Sequence, residues 1–391
     1  MITSNPARVR GARTVAALGT VALAVGALAG CSTEAAPEAD PAFAAESSES
    51  PLAAEVAQLM EPADELPIPA EPVSDASGLA GKTVYYIPIS QQAPKFATVG
   101  KALTEALAAV GAEVQVCDGK GTPTDISACA TQATQTGAAA IVTDAIYYNM
   151  AANAFDDAQA AGVPVLNMNQ YPADGHPASQ TLGYIVSSDG RIQPAIAKWI
   201  TVDSEGTGNI LVNSSVDGPA PGISLAEGER VLEAECSDCV LTVNEITASN
   251  FAQIPSSTSS ALLKNPNIDY VLSQYDQYLQ VTQTGVQQAN ALDRVKGITG
   301  SAQLSALQQL RAEDFLYAAV GDSSAFNGWI AADAVLRMVA GDELPEYTVP
   351  IRLFTRDNIG DIELTEAAQD SGEWYGPTDF PEKFKKLWGV A

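Results

Sequence analysis

The side chains best able to do chemistry in this chain directly follow runs of β-forming residues. They are Ser90 and Gln91 with Phe96 just beyond, Asp144 with Tyr147 and Tyr148, Asn169 and Gln170, Asn213, Tyr275 and Asp276, Thr299, and Asp322. In open α/β sheets, ligands bind beyond the carboxyl ends of the strands. Aromatic rings there would stack on an apolar ring face, while amides and carboxylates would fix hydroxyl positions. Structural roles compete at several of these positions. Phe96 lies on the apolar stripe of its helix, and Asp144 and Asp276 could instead cap the helices that follow. Tyr147 and Tyr148 open a helix, where one is expected to pack and the other to enter a cleft. Asn169 and Gln170 follow a buried strand and have fewer structural explanations.

Catalytic constellations are sparse by comparison. The single histidine, His176, sits in Asp174-Gly175-His176-Pro177 without an HxxxH or cysteine partner nearby, which speaks against His-based acid–base or metal chemistry. There is no GxSxG and no P-loop, and Gly206-Thr207-Gly208 lacks a third glycine and precedes a strand instead of opening a helix. The 47 acidic residues offer many carboxylate pairs, but no spacing singles one out. No activated nucleophile, metal site or cofactor site is expected, hence no enzyme. Against those 47 acids stand 20 Lys and Arg, a net charge of −27 that a nucleic acid would repel. A hydrophobic content of 46% excludes a wholly disordered chain.

The N-terminus reads as a targeting segment. Arg8, Arg10 and Arg13 precede an uncharged run from Thr14 to Ala27, of signal-peptide length and short for a permanent membrane span. It ends in Leu28-Ala29-Gly30-Cys31, which resembles the lipobox of bacterial lipoproteins and implies that Cys31 is diacylated and becomes the mature N-terminus. A secretory segment that merely precedes a cysteine is the competing reading. Residues 32–81 hold no Lys or Arg, eleven acids and seven prolines, and are expected to be mostly an acidic tether, with Leu52–Met60 having some helical character. Four cysteines remain, Cys117, Cys129, Cys236 and Cys239, an even number that suggests two disulfides in an exported chain. A Cys117–Cys129 bridge closes a loop of about 13 residues, worth roughly 3 kcal/mol. Cys236-Ser-Asp-Cys239 is a CxxC placed between a helix and a strand, which favours a structural bridge over a redox or zinc role.

From Lys82 onward, strands alternate with helices. The strand runs are 83–89, 112–117, 139–143, 163–168, 181–186, 209–213, 240–246, 270–273, 295–299, 316–320 and 348–354. Helical spacing fills the gaps, as in Phe96, Val99, Leu103, Leu107 and Val110, and Thr122-Pro123-Thr124-Asp125 is a helix-opening cap. Such alternation builds parallel sheets from βαβ units, and eleven strands are best divided between two lobes.

Three motifs then carry a family resemblance over about 82–354: Ile89-Ser90-Gln91-Gln92-Ala93-Pro94-Lys95-Phe96, Ala161-Gly162-Val163-Pro164-Val165, and Asn265-Pro266-Asn267-Ile268-Asp269-Tyr270-Val271 followed by Gln274-Tyr275-Asp276. In order and spacing they resemble type I periplasmic binding proteins, the ribose-binding-protein-like components of ABC transporters. The resemblance implies an α/β fold of two lobes, each a parallel sheet flanked by helices, joined by a three-strand hinge. The first lobe would hold 82–187 plus 323–350 and the second 188–322 plus 351–391, with the aromatic-rich C-terminus packing over the second. It implies a monomer that closes on a small polar solute, a sugar in the first instance, and delivers it to an ABC permease from a lipid anchor outside the cytoplasmic membrane. A lipid-anchored sensor presenting a nucleoside-like or aromatic ligand to a membrane receptor is the other reading. The chain departs from the monosaccharide binders where they carry Asp-Arg (here Asn169-Gln170), Asp in Phe-Asp-Gly (here Ile298-Thr299-Gly300), and an arginine after Asn213 (here Pro221-Gly222-Ile223-Ser224-Leu225). Without that charge-assisted clamp the cleft is expected to be polar but nearly neutral.

Overall fold

The computed structural model describes residues 50–390. The signal segment, Cys31 and the start of the expected tether lie outside the described residues.

The rest of that tether belongs to the folded body. Ser50 caps helix α1 (Pro51–Met60), its Oγ accepting from the Ala53 amide at 3.1 Å. Val56 is buried among second-lobe residues, and Glu55 pairs with Lys198 at 2.6 Å. The chain then crosses to the first lobe, where Leu66, Val73, Ala76 and Leu79 join the core. The Arg337 guanidinium donates to the Glu71 carbonyl at 2.6 Å. Composition misleads here because a few well-spaced apolar residues dock on surfaces formed by the rest of the chain.

The first lobe is a five-stranded parallel sheet in the order β2-β1-β3-β4-β5. Its strands are β1 (Thr83–Pro88), β2 (Glu113–Val116), β3 (Ala140–Asp144), β4 (Val165–Met168) and β5 (Leu182–Ile185). Helix α2 (Pro94–Ala108) covers one face over Val84, Tyr86 and Val142, while α3 (Pro123–Gln135) and α4 (Ala152–Ala160) cover Tyr85, Ile87 and Ile141 on the other. The alternation of strand side chains between the faces explains the split. Cys117–Cys129 ties the end of β2 to α3.

The second lobe begins with α5 (Asp189–Asp203). Its six-stranded sheet has the order β11-β10-β9-β8-β6-β7, parallel except for the pairing of β11 with β10. The strands are β6 (Asn209–Ser215), β7 (Val240–Ile246), β8 (Tyr270–Ser273), β9 (Lys296–Gly300), β10 (Leu316–Asp322) and β11 (Ile351–Thr355). Helix α6 (Pro219–Glu235) packs beside α5, and α7 (Ile254–Lys264), α8 (Leu279–Gln288) and α9 (Leu304–Arg311) complete the layers. Cys236–Cys239 closes the turn between α6 and β7.

Helix α10 (Ser324–Ala340) returns to the first lobe and lies across α2. The two approach so closely at Gly328 that a Cβ there would stand 2.6 Å from the Leu103 nitrogen and 2.7 Å from the Val99 carbonyl. The chain crosses between lobes at 186–188, at Ser323 and at 341–350, and twice more through its terminal segments. One of these is the passage after α1. The other follows α11 (Glu366–Ser371): Trp374 and Tyr375 are buried in the second lobe, whereas α12 (Phe380–Leu387) packs Phe380, Phe384 and Trp388 into the first. The C-terminus therefore straddles the lobes instead of covering the second. Phe326 and Trp329 of α10 offer the aromatic surface that draws it there, with Trp388 stacked on Trp329 at 5.6 Å.

Candidate functional site

The carboxyl ends of both sheets meet at the crossings. Tyr147 of the first lobe lies against Gly218 of the second, where a Cβ would stand 3.3 Å from the tyrosine Cβ and the backbone has φ +89°. The Tyr171 hydroxyl similarly abuts Gly190 and hydrogen-bonds Ser224. Between these contacts sits an ion pair that bridges the lobes. Lys95, in the first turn of α2, places Nζ 3.2 Å from Asp322 Oδ2 and 3.1 Å from Oδ1. Asp322 ends β10 and also accepts from the Ser188 hydroxyl and, at 3.3 Å, from Asn327 Nδ2.

Further carboxylates converge on the same lysine. Asp144, at the end of β3, accepts from the Tyr86 hydroxyl and from Asn169 Nδ2, each at 2.7 Å. Asp189, at the start of α5, accepts from the Tyr275 hydroxyl at 3.3 Å, and Asp276 lies next to Tyr275. Burial raises the carboxyls of Asp144 and Asp189 above the usual range and pushes Asp276 up to about 7, in each case against the pull of Lys95. Burial would likewise raise Asp322, but Lys95, Ser188 and Asn327 hold it below the ordinary value. Burial would lower the Lys95 ammonium, yet Asp322, Asp189 and Asp144 keep it above the normal lysine value. The hydroxyls of Tyr86 and Tyr275 are raised by burial and then by their aspartate partners, so both stay protonated donors.

Asp144 is thus no helix cap: its oxygens are committed to Tyr86 and Asn169. Asn169 itself adopts φ +56°, as does Ala145 just after Asp144, and Ser301 after β9 has φ +58°. Left-handed backbone at three strand exits turns the chain sharply away from the sheets. Gln170 is buried, with no partner for Oε1. Phe96 is buried but stands outside the apolar core that Val99, Leu103 and Leu107 of the same helix join. Ser90 and Gln91 form the turn after β1, where the Ser90 hydroxyl accepts from the Gln92 amide and the Gln91 amide donates to Asp118.

Besides Ser90 and Gln91, three expected residues do not join the cluster. Tyr148 is the packed member of its pair, held by Asp156 at 2.7 Å and Gln159 at 2.6 Å, with its ring tilted against that of His176. The Asn213 side chain points into the second lobe, bonded to Thr258, Thr282 and Asn244. Thr299 is fully buried within the sheet, its hydroxyl donating to the Gly300 carbonyl. In each case the side chain falls on a face covered by helices, which strand position alone does not reveal. Conversely, Lys95, Asp189, Tyr86 and Ser188 were not singled out by their sequence positions. Lys95 carried a signal all the same, because a cation in the first turn of a helix opposes the helix dipole and calls for an anionic partner. With these residues placed, four carboxyls and one ammonium gather at the strand ends, and burial pushes three of the carboxyls toward their neutral form.

Comparison with known proteins accords with this architecture. A family described as "Periplasmic binding protein domain" matches residues 84–343. The chain belongs to that family. Its members of the ribose-binding type are solute-binding proteins, not enzymes, and the fold found here is theirs. A 5-methylthioribose transporter solute-binding protein from Thermotoga lettingae TMO, solved with 5-methylthioribose, is 19% identical with a TM-score of 0.66, over 81% of this chain and 98% of that one. The Caulobacter myo-inositol binding protein bound to myo-inositol is 20% identical with a TM-score of 0.64, over 75% and 98% of the two chains. An ABC sugar transporter subunit from Rhodobacter sphaeroides 2.4.1 is 19% identical with a TM-score of 0.62, over 72% and 100%. No curated protein sequence matches. No helix among the described residues is long and apolar enough to cross a membrane, and no group of three or more His, Cys, Asp or Glu there could hold a metal ion.

Proposed function

We propose that this periplasmic binding protein captures a small sugar-like solute between its lobes and delivers it to an ABC permease, acting as a monomer lipidated at Cys31 and held outside the cytoplasmic membrane. The observation that carries this reading is the convergence of Lys95, Asp144 and Asn169 from one lobe with Asp189, Tyr275, Asp276 and Asp322 from the other. A ligand that bridges the two sets favours the closed form, because each lobe alone supplies only part of its partners. Tyr147, Phe96 and Tyr275 provide ring faces, and Gln170 provides an unpaired amide oxygen.

Calorimetric titration with sugars and polyols tests the capture step. A saturable one-to-one isotherm is expected, weakened at least tenfold by Tyr147→Ala; an Ala variant that binds unchanged, or a folded protein with no isotherm, contradicts it. The anchor is tested separately. Cells fed labelled palmitate should label the wild-type chain and not Cys31→Ser.

A further inference from the structure

Resting on the solute-capture reading, we infer that the ligand carries a protonated amino group, as an amino sugar or aminocyclitol does, and that Asp189 and Asp276 receive it. Four carboxylates (Asp144, Asp189, Asp276, Asp322) face one ammonium, Lys95, for a formal charge of −3 in the cluster. Arg191 also feels Asp322, but its guanidinium donates to the Val349 carbonyl, and one further cation would still leave the cluster negative. Asp144 and Asp322 are fully buried, whereas Asp189 and Asp276 are half-buried. Lys95 is shared among all four carboxylates, so the cluster keeps an excess of negative charge that this one ammonium does not neutralise.

A second observation points the same way. Five buried amide oxygens among the described residues have no donor, and three of them, Gln170 Oε1, Gln303 Oε1 and Asn327 Oδ1, belong to residues beyond the strand ends that are 7%, 2% and 0% exposed. Asn327 binds Asp322, and Gln303 reaches Ser324 next to it, so two of them adjoin the acidic cluster. A neutral hydroxyl brings one donor and must find another in return. An ammonium brings three donors and a charge and accepts nothing. Hydrogen bonds in which one partner is charged are about twice as strong as neutral ones, so an acceptor-rich cleft favours the ammonium.

Matched pairs test this with the full-length protein in detergent: D-glucose against D-glucosamine, D-galactose against D-galactosamine, and scyllo-inositol against streptamine, each by calorimetric titration at pH 7, where the hexosamine amines are still mostly protonated. In at least one pair the amine is expected to bind tenfold or more tightly than its neutral partner, with the ratio falling toward one in Asp276→Asn and in Asp189→Asn. Neutral members that bind as well as the amines would overturn the inference and leave solute capture standing. A ratio unchanged in both Asn variants would overturn the assignment of the two aspartates. No binding by any compound to a folded protein would overturn capture as well.

Discussion

Lys95 and Asp322 show how one residue pair can join two lobes and set the charge of a site. Buried ion pairs add little net stability, but removing one partner strands the other charge. Lys95→Met should therefore destabilise the protein by about 3 kcal/mol in urea unfolding, and Asp322→Asn in the same chain should restore much of the loss. Near-equal stability of Lys95→Met and the parent would show that the pair is not closed in solution. Asp276 gives the site a pH signature. Its carboxyl is pushed up to about 7 by burial and faces Lys95, the Gln277 amide and, more distantly, the Tyr375 hydroxyl. Well below that value the carboxyl is protonated and offers no charge; ionisation is half complete at that value and grows above it. Affinity for glucosamine should accordingly rise from pH 5.5 to pH 7, where its own amine is still mostly protonated, whereas affinity for glucose should change much less; a flat amine profile would remove Asp276 from recognition. Sequence position located Asp144, Asn169, Gln170, Tyr275, Asp276 and Asp322 because strand ends are local features. It could not rank Tyr147 above Tyr148 or discount Asn213, since the choice between cleft and core depends on which helix covers the side chain.

At the scale of elements, the alternation of strands and helices was legible because each hydrophobic period is written in consecutive residues. The terminal segments were not, because their few apolar contacts are spread through acidic and proline-rich chain. Their packing is nonetheless substantial. Trp388 is 4% exposed, stacks on Trp329 and donates to Asp333 at 2.8 Å. Trp388→Ala should cost about 3 kcal/mol or more by the usual penalty for truncating a buried aromatic. A loss under about 1 kcal/mol would mean that α12 does not hold its place against α10. The two disulfides should separate in the same assay. Replacing Cys117 and Cys129 by serine releases the larger loop and should cost about 3 kcal/mol, whereas the tight Cys236–Cys239 loop constrains the unfolded chain less.

At the scale of the whole molecule, two sheets present their carboxyl ends to a common cleft, and five chain crossings hold them in register. The fold class could be read from the sequence, since βαβ units leave few arrangements open. The electrostatic character of the cleft could not, because the charge of a site depends on which of 47 acids meet in space. The most direct measurement is the thermal unfolding midpoint of the protein against neutral sugars, polyols and their amino counterparts. A bound ligand at about 100 times its dissociation constant adds about 2.7 kcal/mol of stability. The expected result is a raised midpoint for at least one compound, lost when Asp189 and Asp276 are both replaced by Asn. A cooperative transition that no compound moves would contradict the capture of a small polar solute between the lobes.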